Sequence, residues 1–229
     1  MNLSNFSAKV SMQNIQREFS YDNVVMLTFT MNYPKVVLSN NKKAQRKMNS
    51  HIYTQNNDFY RYIINTLYPQ AVMEYKYDLE NDFPFRMYDA VMQYEVTYNA
   101  DCYLSTYYDR YEFTGGAHGN TIRSSDTWSL KTGNERLLWN MFQPNVNYRY
   151  LLIEEILKQT DQQMKENPGI YFDNYQTLIV QYFNPKSFYL TEGGLAIYYQ
   201  QYEIAPYATG IVSFTIPYAT LGWMPTCSK

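Results

Sequence analysis

The sequence predicts an α+β fold of mainly antiparallel sheets with packed helices, arranged as two closely associated subdomains. Three observations carry this. Period-two alternation recurs in several segments, which marks strands with one buried face. Two longer segments place apolar residues at helical spacing. The patterns also arrive in blocks rather than in strict alternation: strands and a helix, three strands, two helices, then strands.

Residues 8–19 read as a first strand with weak alternation. The segment 24–33 is clearer: Leu27, Phe29, Met31 and Tyr33 alternate with Thr28, Thr30 and Asn32. Pro34 argues against a central strand at that point, because it has no N–H to give a ladder. Ser39 or Asn40 is a candidate cap for a helix whose stripe is Ile52, Phe59, Ile63 and Leu67. His51 sits beside the stripe and reads as structural or solvent-facing rather than functional. Pro69 is expected to interrupt or kink this helix, with helical character resuming through Asp78.

Residues 87–98 and 101–113 read as two long strands, with Tyr103, Tyr107, Tyr111 and Phe113 on one face of the second. A third strand covers 121–130, so the three make a meander. Asn145 or Asn147 caps the next helix, which carries Ile153, Leu157 and Met164 and stops at Asn167-Pro168-Gly169. A shorter helix runs to Tyr182. Three short strands follow at 187–190, 195–199 and 210–216, and 218–221 makes one helical turn. The expected division is 1–85, two strands plus the long helix, and 86–229, an α+β domain.

Composition narrows the function. The chain has 229 residues and a net charge of −2, which excludes the concentrated positive field of a nucleic-acid binder. Its 26 tyrosines suit half-buried sheet faces and contact surfaces alike. No run of ~18 apolar residues is present to span a membrane, and residues 1–7 lack the basic and apolar regions of a signal peptide. The two cysteines, Cys102 and Cys227, show no metal spacing, and the residues leave their pairing open.

Two segments stand out as candidate sites. In the first, strand-like residues run into Gly115-Gly116-Ala117-His118-Gly119-Asn120. Three glycines in five positions imply a tightly folded loop, which either only makes a turn or presents His118. In the second, 202–210, Pro206 and Gly210 shape a defined loop that displays Glu203, Tyr202 and Tyr207. Rigid tyrosines lose little entropy on binding, which favours recognition. The alternative is a buried connection in which Glu203 pairs internally.

Catalytic sets are weak by comparison. Ser124, Ser125 and Asp126 with His118 supply the residue types of a hydrolase, but no Gly-x-Ser-x-Gly elbow accompanies them. No His-Glu-x-x-His or Cys-x-x-Cys suggests zinc, and no Gly-Lys-Ser/Thr suggests a phosphate cradle. The sequence therefore predicts no enzyme, no metal and no cofactor.

Thr114 to Asn120, then Leu130-Lys131-Thr132-Gly133, Phe188-Tyr189-Leu190-Thr191, the 202–210 loop and Ile216-Pro217-Tyr218 occur in that order. This series resembles the extracellular domain of unknown function of RsiV-type anti-sigma factors. Tyr33-Pro34-Lys35, with Lys43, Gln45, Lys47, Met48, Asn49 and Ile52, resembles the smaller PdaC-type domain that usually precedes it. The resemblance implies an extracytoplasmic location and a recognition role, with lysozyme as the partner of RsiV-type proteins. Carried to this chain, it implies contact through Gly115, Gly116, His118, Asn120, Glu203, Pro206 and Tyr207. The alternatives are a peptidoglycan or glycan binder that stacks sugars on tyrosines, and a cell-wall hydrolase using His118.

Overall fold

The computed structural model describes residues 6–227. Strands β1 (Lys9–Tyr21) and β2 (Val24–Val37) lead into helices α1 (Lys42–Tyr62) and α2 (Tyr68–Glu80), which a π-helical turn, Ile63–Leu67, joins without a break. Strands β3 (Tyr88–Ala100), β4 (Tyr103–Phe113) and β5 (Asn120–Ser129) follow. Helices α3 (Tyr148–Glu166) and α4 (Tyr175–Tyr182) precede β6 (Phe188–Leu190), β7 (Gly194–Tyr199), β8 (Val212–Pro217) and α5 (Tyr218–Leu221). The first five strands form one sheet in chain order, and the last three form a second.

The chain divides into two compact units. One comprises residues 9–94 and 108–122, the other 6–8, 95–107 and 123–227. The division is therefore not a single point along the chain: it falls within β3, β4 and β5.

In the first unit, Asp22 and Asn23 both take positive φ and close β1 onto β2 as a two-residue hairpin. The sheet is mixed rather than purely antiparallel, because β2 and β3 pair in parallel from Leu27↔Tyr88 to Asn32↔Gln93. The long helix supplies the crossover that a parallel pair requires. Pro34 lies inside β2, opposite Met12 of β1, but beyond the last β3 pair, so the proline meets only one neighbouring strand.

The helix is capped by Asn41, one position after the expected residues; its side chain accepts from the Ala44 N–H. Ile52, Phe59, Ile63 and Leu67 are all buried, as their spacing predicts, and Phe29 of β2 meets Phe59 edge-on at 6.0 Å. The Asn49 amide donates to the Val36 carbonyl and accepts from the Val36 N–H, so one side chain pins α1 to β2 as a strand neighbour would. His51 bonds Gln55 one turn on, and Gln55 accepts from the Tyr94 hydroxyl, which gives the histidine a structural place. Pro69 neither breaks the helix nor ends it; the wide π turn precedes it instead.

In the second unit, all six residues of β7 are buried and β8 alternates strictly between buried and exposed. The core gathers Phe188, Ile197, Tyr199, Phe214 and Ile216 from the sheet with Leu152 and Ile156 of α3. The α3 stripe lies nearer Leu152, Ile153, Ile156 and Thr160, with Leu157 and Met164 only partly buried. The cap of α3 is Asn147. A two-residue turn at Asp101 and Cys102, both at positive φ, joins β3 to β4. Cys102 is bonded to Cys227. The same residue accepts from Leu130 N–H and donates to the Phe6 carbonyl.

Candidate functional site

Two of the three glycines in the loop at 114–119 have geometric reasons to be there. Gly115 takes φ +79°, and a Cβ at that position would lie 3.1 Å from Glu74 Oε1. Gly119 is buried, and a Cβ there would stand 2.3 Å from a ring carbon of Tyr111. Both are positions that a side chain would disrupt. Arg86 Nη1 donates to the carbonyls of Gly115 and Gly116, at 3.1 and 3.2 Å, and staples the loop from outside. Glu74 accepts from the Tyr88 hydroxyl in a short bond, and burial, with this carboxylate beside it, holds the phenol well above its usual range. His118 and Asn120 are exposed, and His118 Nδ1–H donates to the Gly119 carbonyl at 3.0 Å.

The 202–210 loop belongs to the other unit. Tyr202 takes φ +64° and is 52% exposed. Its ring lies 5.7 Å from that of Tyr207, which opens a single 3-10 turn after Pro206. Gly210 closes that turn at φ +75°, and Thr209 donates to the Ile170 carbonyl. Glu203 turns inward: Oε2 accepts from Gln200 N–H at 2.7 Å. Burial pushes its carboxyl up, while that hydrogen bond opposes the shift. Glu203 thus fastens the base of the loop that shows the tyrosines.

The structure adds groups that sequence reasoning missed. Gln200 accepts from Arg123 N–H and donates to the Arg123 carbonyl, which ties the loop base to β5. The Arg123 guanidinium lies 3.7 Å above the ring of Tyr107, and Tyr107 in turn packs on Tyr189 at 5.1 Å. Alternation places Tyr107 on a face, but no local pattern places an arginine above it. Of the two serines beside Asp126, Ser125 is engaged elsewhere, since its hydroxyl donates to the Phe188 carbonyl at 2.6 Å. Among the described residues, no group of three or more His, Cys, Asp or Glu side chains could hold a metal ion.

A third feature is concave. In the first unit an open groove of about 500 Å³ runs between the β1–β2 hairpin and helix α1. Its walls come from Gln13, Ile15 and Arg17 of β1, Phe29, Met31 and residues 33–35 of β2, and the α1 face that carries Ile52, Tyr53 and Asn56. Strand β1 is the edge of its sheet; of its groove residues, Gln13 and Ile15 are half-buried and Arg17 is exposed. The groove exists because α1 packs over β2 and leaves the face of β1 beside it uncovered.

Comparison with known proteins gives two successive segments of the chain. The family model described as Deacetylase PdaC matches residues 21–121. The model described as a protein of unknown function, DUF3298, matches residues 140–219. A search of curated proteins finds no match. Among solved structures, a DUF3298 family member from Bacteroides fragilis NCTC 9343 superposes with a TM-score of 0.70 at 19% identity, covering 95% of this chain and 94% of its own. A DUF3298 family protein from Pseudomonas aeruginosa PAO1 gives a TM-score of 0.62 at 16% identity, with 96% and 95% covered. At such identities the likeness is one of fold. The chain carries a PdaC domain at residues 21–121 followed by a DUF3298 domain at 140–219.

Proposed function

We propose that this chain is a non-enzymatic recognition module that works outside the cytoplasmic membrane and binds a lysozyme-type muramidase through the 202–210 loop. The observation that carries the reading is the exposed Tyr202 beside Tyr207, on a loop fixed by Glu203, Pro206 and Gly210. Such a loop presents aromatic area with its entropy already lost, which is the usual economy of a protein-binding surface. The Cys102–Cys227 disulfide supports a compartment outside the cytoplasm. The commitment of Ser125 to a backbone carbonyl and the exposure of His118 support binding over catalysis. A net charge of −2 adds little long-range steering, so affinity rests on contact. His118 and Asn120 form a second exposed patch on the glycine loop.

Calorimetric titration of the full chain with purified lysozyme tests this. Binding is expected, and Tyr202→Ala and Tyr207→Ala are each expected to weaken it about tenfold, or roughly 1.4 kcal/mol. No heat with any muramidase, or full affinity in both variants, removes the reading.

A further inference from the structure

We propose that the groove between the β1–β2 hairpin and helix α1 is a saccharide site that takes an acidic oligosaccharide. It stands apart from the muramidase reading and uses different residues. Asn56 is the first reason. It sits mid-helix, is 7% exposed, and its Oδ1 is buried with no hydrogen-bond partner. Buried polar atoms are almost always paired, because an orphan forfeits its bonds to water and gains none in return. Asn56 lines an open groove while its Oδ1 is covered, so a turn of the side chain would bring this acceptor to a ligand hydroxyl.

The rest of the lining narrows the ligand class. Tyr33, Tyr53 and Tyr60 bring aromatic rings to the groove, and Tyr53 is 69% exposed. Aromatic rings pack against the apolar C–H faces of pyranose rings and leave the sugar hydroxyls free to point sideways. The amides of Gln13 and Asn57 stand among the same rings and pair with hydroxyls as both donors and acceptors. Arg17 and Lys35 also line the groove and no carboxylate does, so the charge it offers is positive. An acidic sugar chain satisfies all of this at once: ring faces, hydroxyls and a carboxylate. A volume of about 500 Å³ is within the ~300–1,000 Å³ typical of small-ligand sites.

The test titrates the full chain with cellobiouronic acid and with cellobiose, which differ by one carboxylate, and with polyglutamate as a non-sugar polyanion. Calorimetry reads affinity and thermal melting reads stability. Cellobiouronic acid is expected to bind at least tenfold more tightly than cellobiose, and polyglutamate not at all. Tyr53→Ala and Arg17→Ala alter exposed side chains, and each is expected to weaken binding about tenfold with Tm unchanged. Asn56→Leu is expected to raise Tm in the absence of sugar, since it removes the orphan, and to abolish the sugar-induced rise in Tm. All three variants are expected to keep the affinity of the unmodified chain for lysozyme, whatever that affinity is. The proposal is overturned if neither disaccharide binds, if polyglutamate binds as well as the acidic sugar, or if Tyr53→Ala leaves affinity intact. It is also overturned if Asn56→Leu stabilises the protein and sugar still binds, which would make a trapped water the partner of Asn56.

Discussion

Reducing or removing the Cys102–Cys227 bond is expected to cost a large part of this protein's stability, mostly through the unfolded state. The bridge joins positions 125 apart in sequence. Closing a loop of that length removes chain entropy from the unfolded ensemble worth about 5 kcal/mol at room temperature, with measured disulfides more often giving ~2–4 kcal/mol. Folded domains are stable by only ~5–15 kcal/mol, so either figure is substantial. The folded state itself should change little. The segment that leads to Cys227 has other anchors: Trp223 packs edge-on against Tyr103 at 6.0 Å and Tyr218 at 5.8 Å. The assay is equilibrium urea unfolding of the Cys102→Ala/Cys227→Ala protein beside the oxidised parent, followed by tryptophan fluorescence. The midpoint should fall, and the slope with urea should steepen, because an untethered chain exposes more surface on unfolding. Equal free energies within about 0.5 kcal/mol would refute the reasoning, since the loop-entropy term leaves no room for so small an effect.

Other expectations concern the two loops and the tyrosines. Gly119→Ala should destabilise the protein by about 3 kcal/mol in thermal or urea melts, because its methyl would meet the Tyr111 ring at 2.3 Å. Adding Tyr111→Ala should recover part of the loss, and strict additivity of the two changes would count against this contact. Glu203→Gln keeps the acceptor for Gln200 N–H and removes a buried charge. Burial raises the Glu203 pKa above 4.5, so its favourable share of stability is present below pH 4.5 and lost as pH rises through the folded value. The glutamine variant should therefore be the more stable at neutral pH, with the advantage gone in acid; a variant weaker at neutral pH contradicts the assignment. Burial pushes Tyr171 from 10.0 up to about 12 and also raises Tyr199 and Tyr218. These phenols hold protons in the fold that the unfolded chain releases, so stability should be full below pH 10 and fall as pH climbs towards 12. Phenolate absorbance during an alkaline titration should show a late class of tyrosines that ionises only with unfolding; a single class titrating at the ordinary value would rule this out.

Much of the framework is legible because it depends on local periodicity. Ile52, Phe59, Ile63 and Leu67 mark the buried face of the helix, and Leu27, Phe29 and Met31 the buried face of β2. The short strands at the end of the chain lie close to their expected positions. Pairing is a different matter. Nothing in the alternation of β2 and β3 says that they run parallel, because period two is the same in either sense. Pro34 is legible as an obstacle but not as a harmless one, since that depends on where the pairing of β2 with β3 ends. The loops divide in the same way. Sequence shows that three glycines make a tight turn; only packing shows that Gly119 makes room for Tyr111 and Gly115 for Glu74. Glu203 reads equally well as a surface charge or as a clasp, and the Gln200 N–H decides for the clasp. The groove is invisible to any single window, because it is assembled from residues of two strands and a helix face.

The π turn before Pro69 shows how one awkward residue is absorbed and what depends on it. Phe59, Ile63, Leu67 and Ala71 are all buried and recur every four residues. On a helix of 3.6 residues per turn each such step overshoots by roughly 40°, so three steps would carry Ala71 about 120° off the face. The turn at Ile63–Leu67 winds more slowly, and Tyr68 N–H reaches back five residues to the Ile63 carbonyl. That widening keeps the stripe facing the sheet. It also falls where a proline ring would otherwise crowd the Asn65 carbonyl four residues earlier. Pro69 and Asn65 are both exposed, so water can take the carbonyl that the proline cannot serve. With Ala71 held inward, Glu74 one turn later reaches the Tyr88 hydroxyl and stands against Gly115. The shape of the glycine loop is thus tied to the winding of a helical turn that lies about fifty residues earlier in the chain.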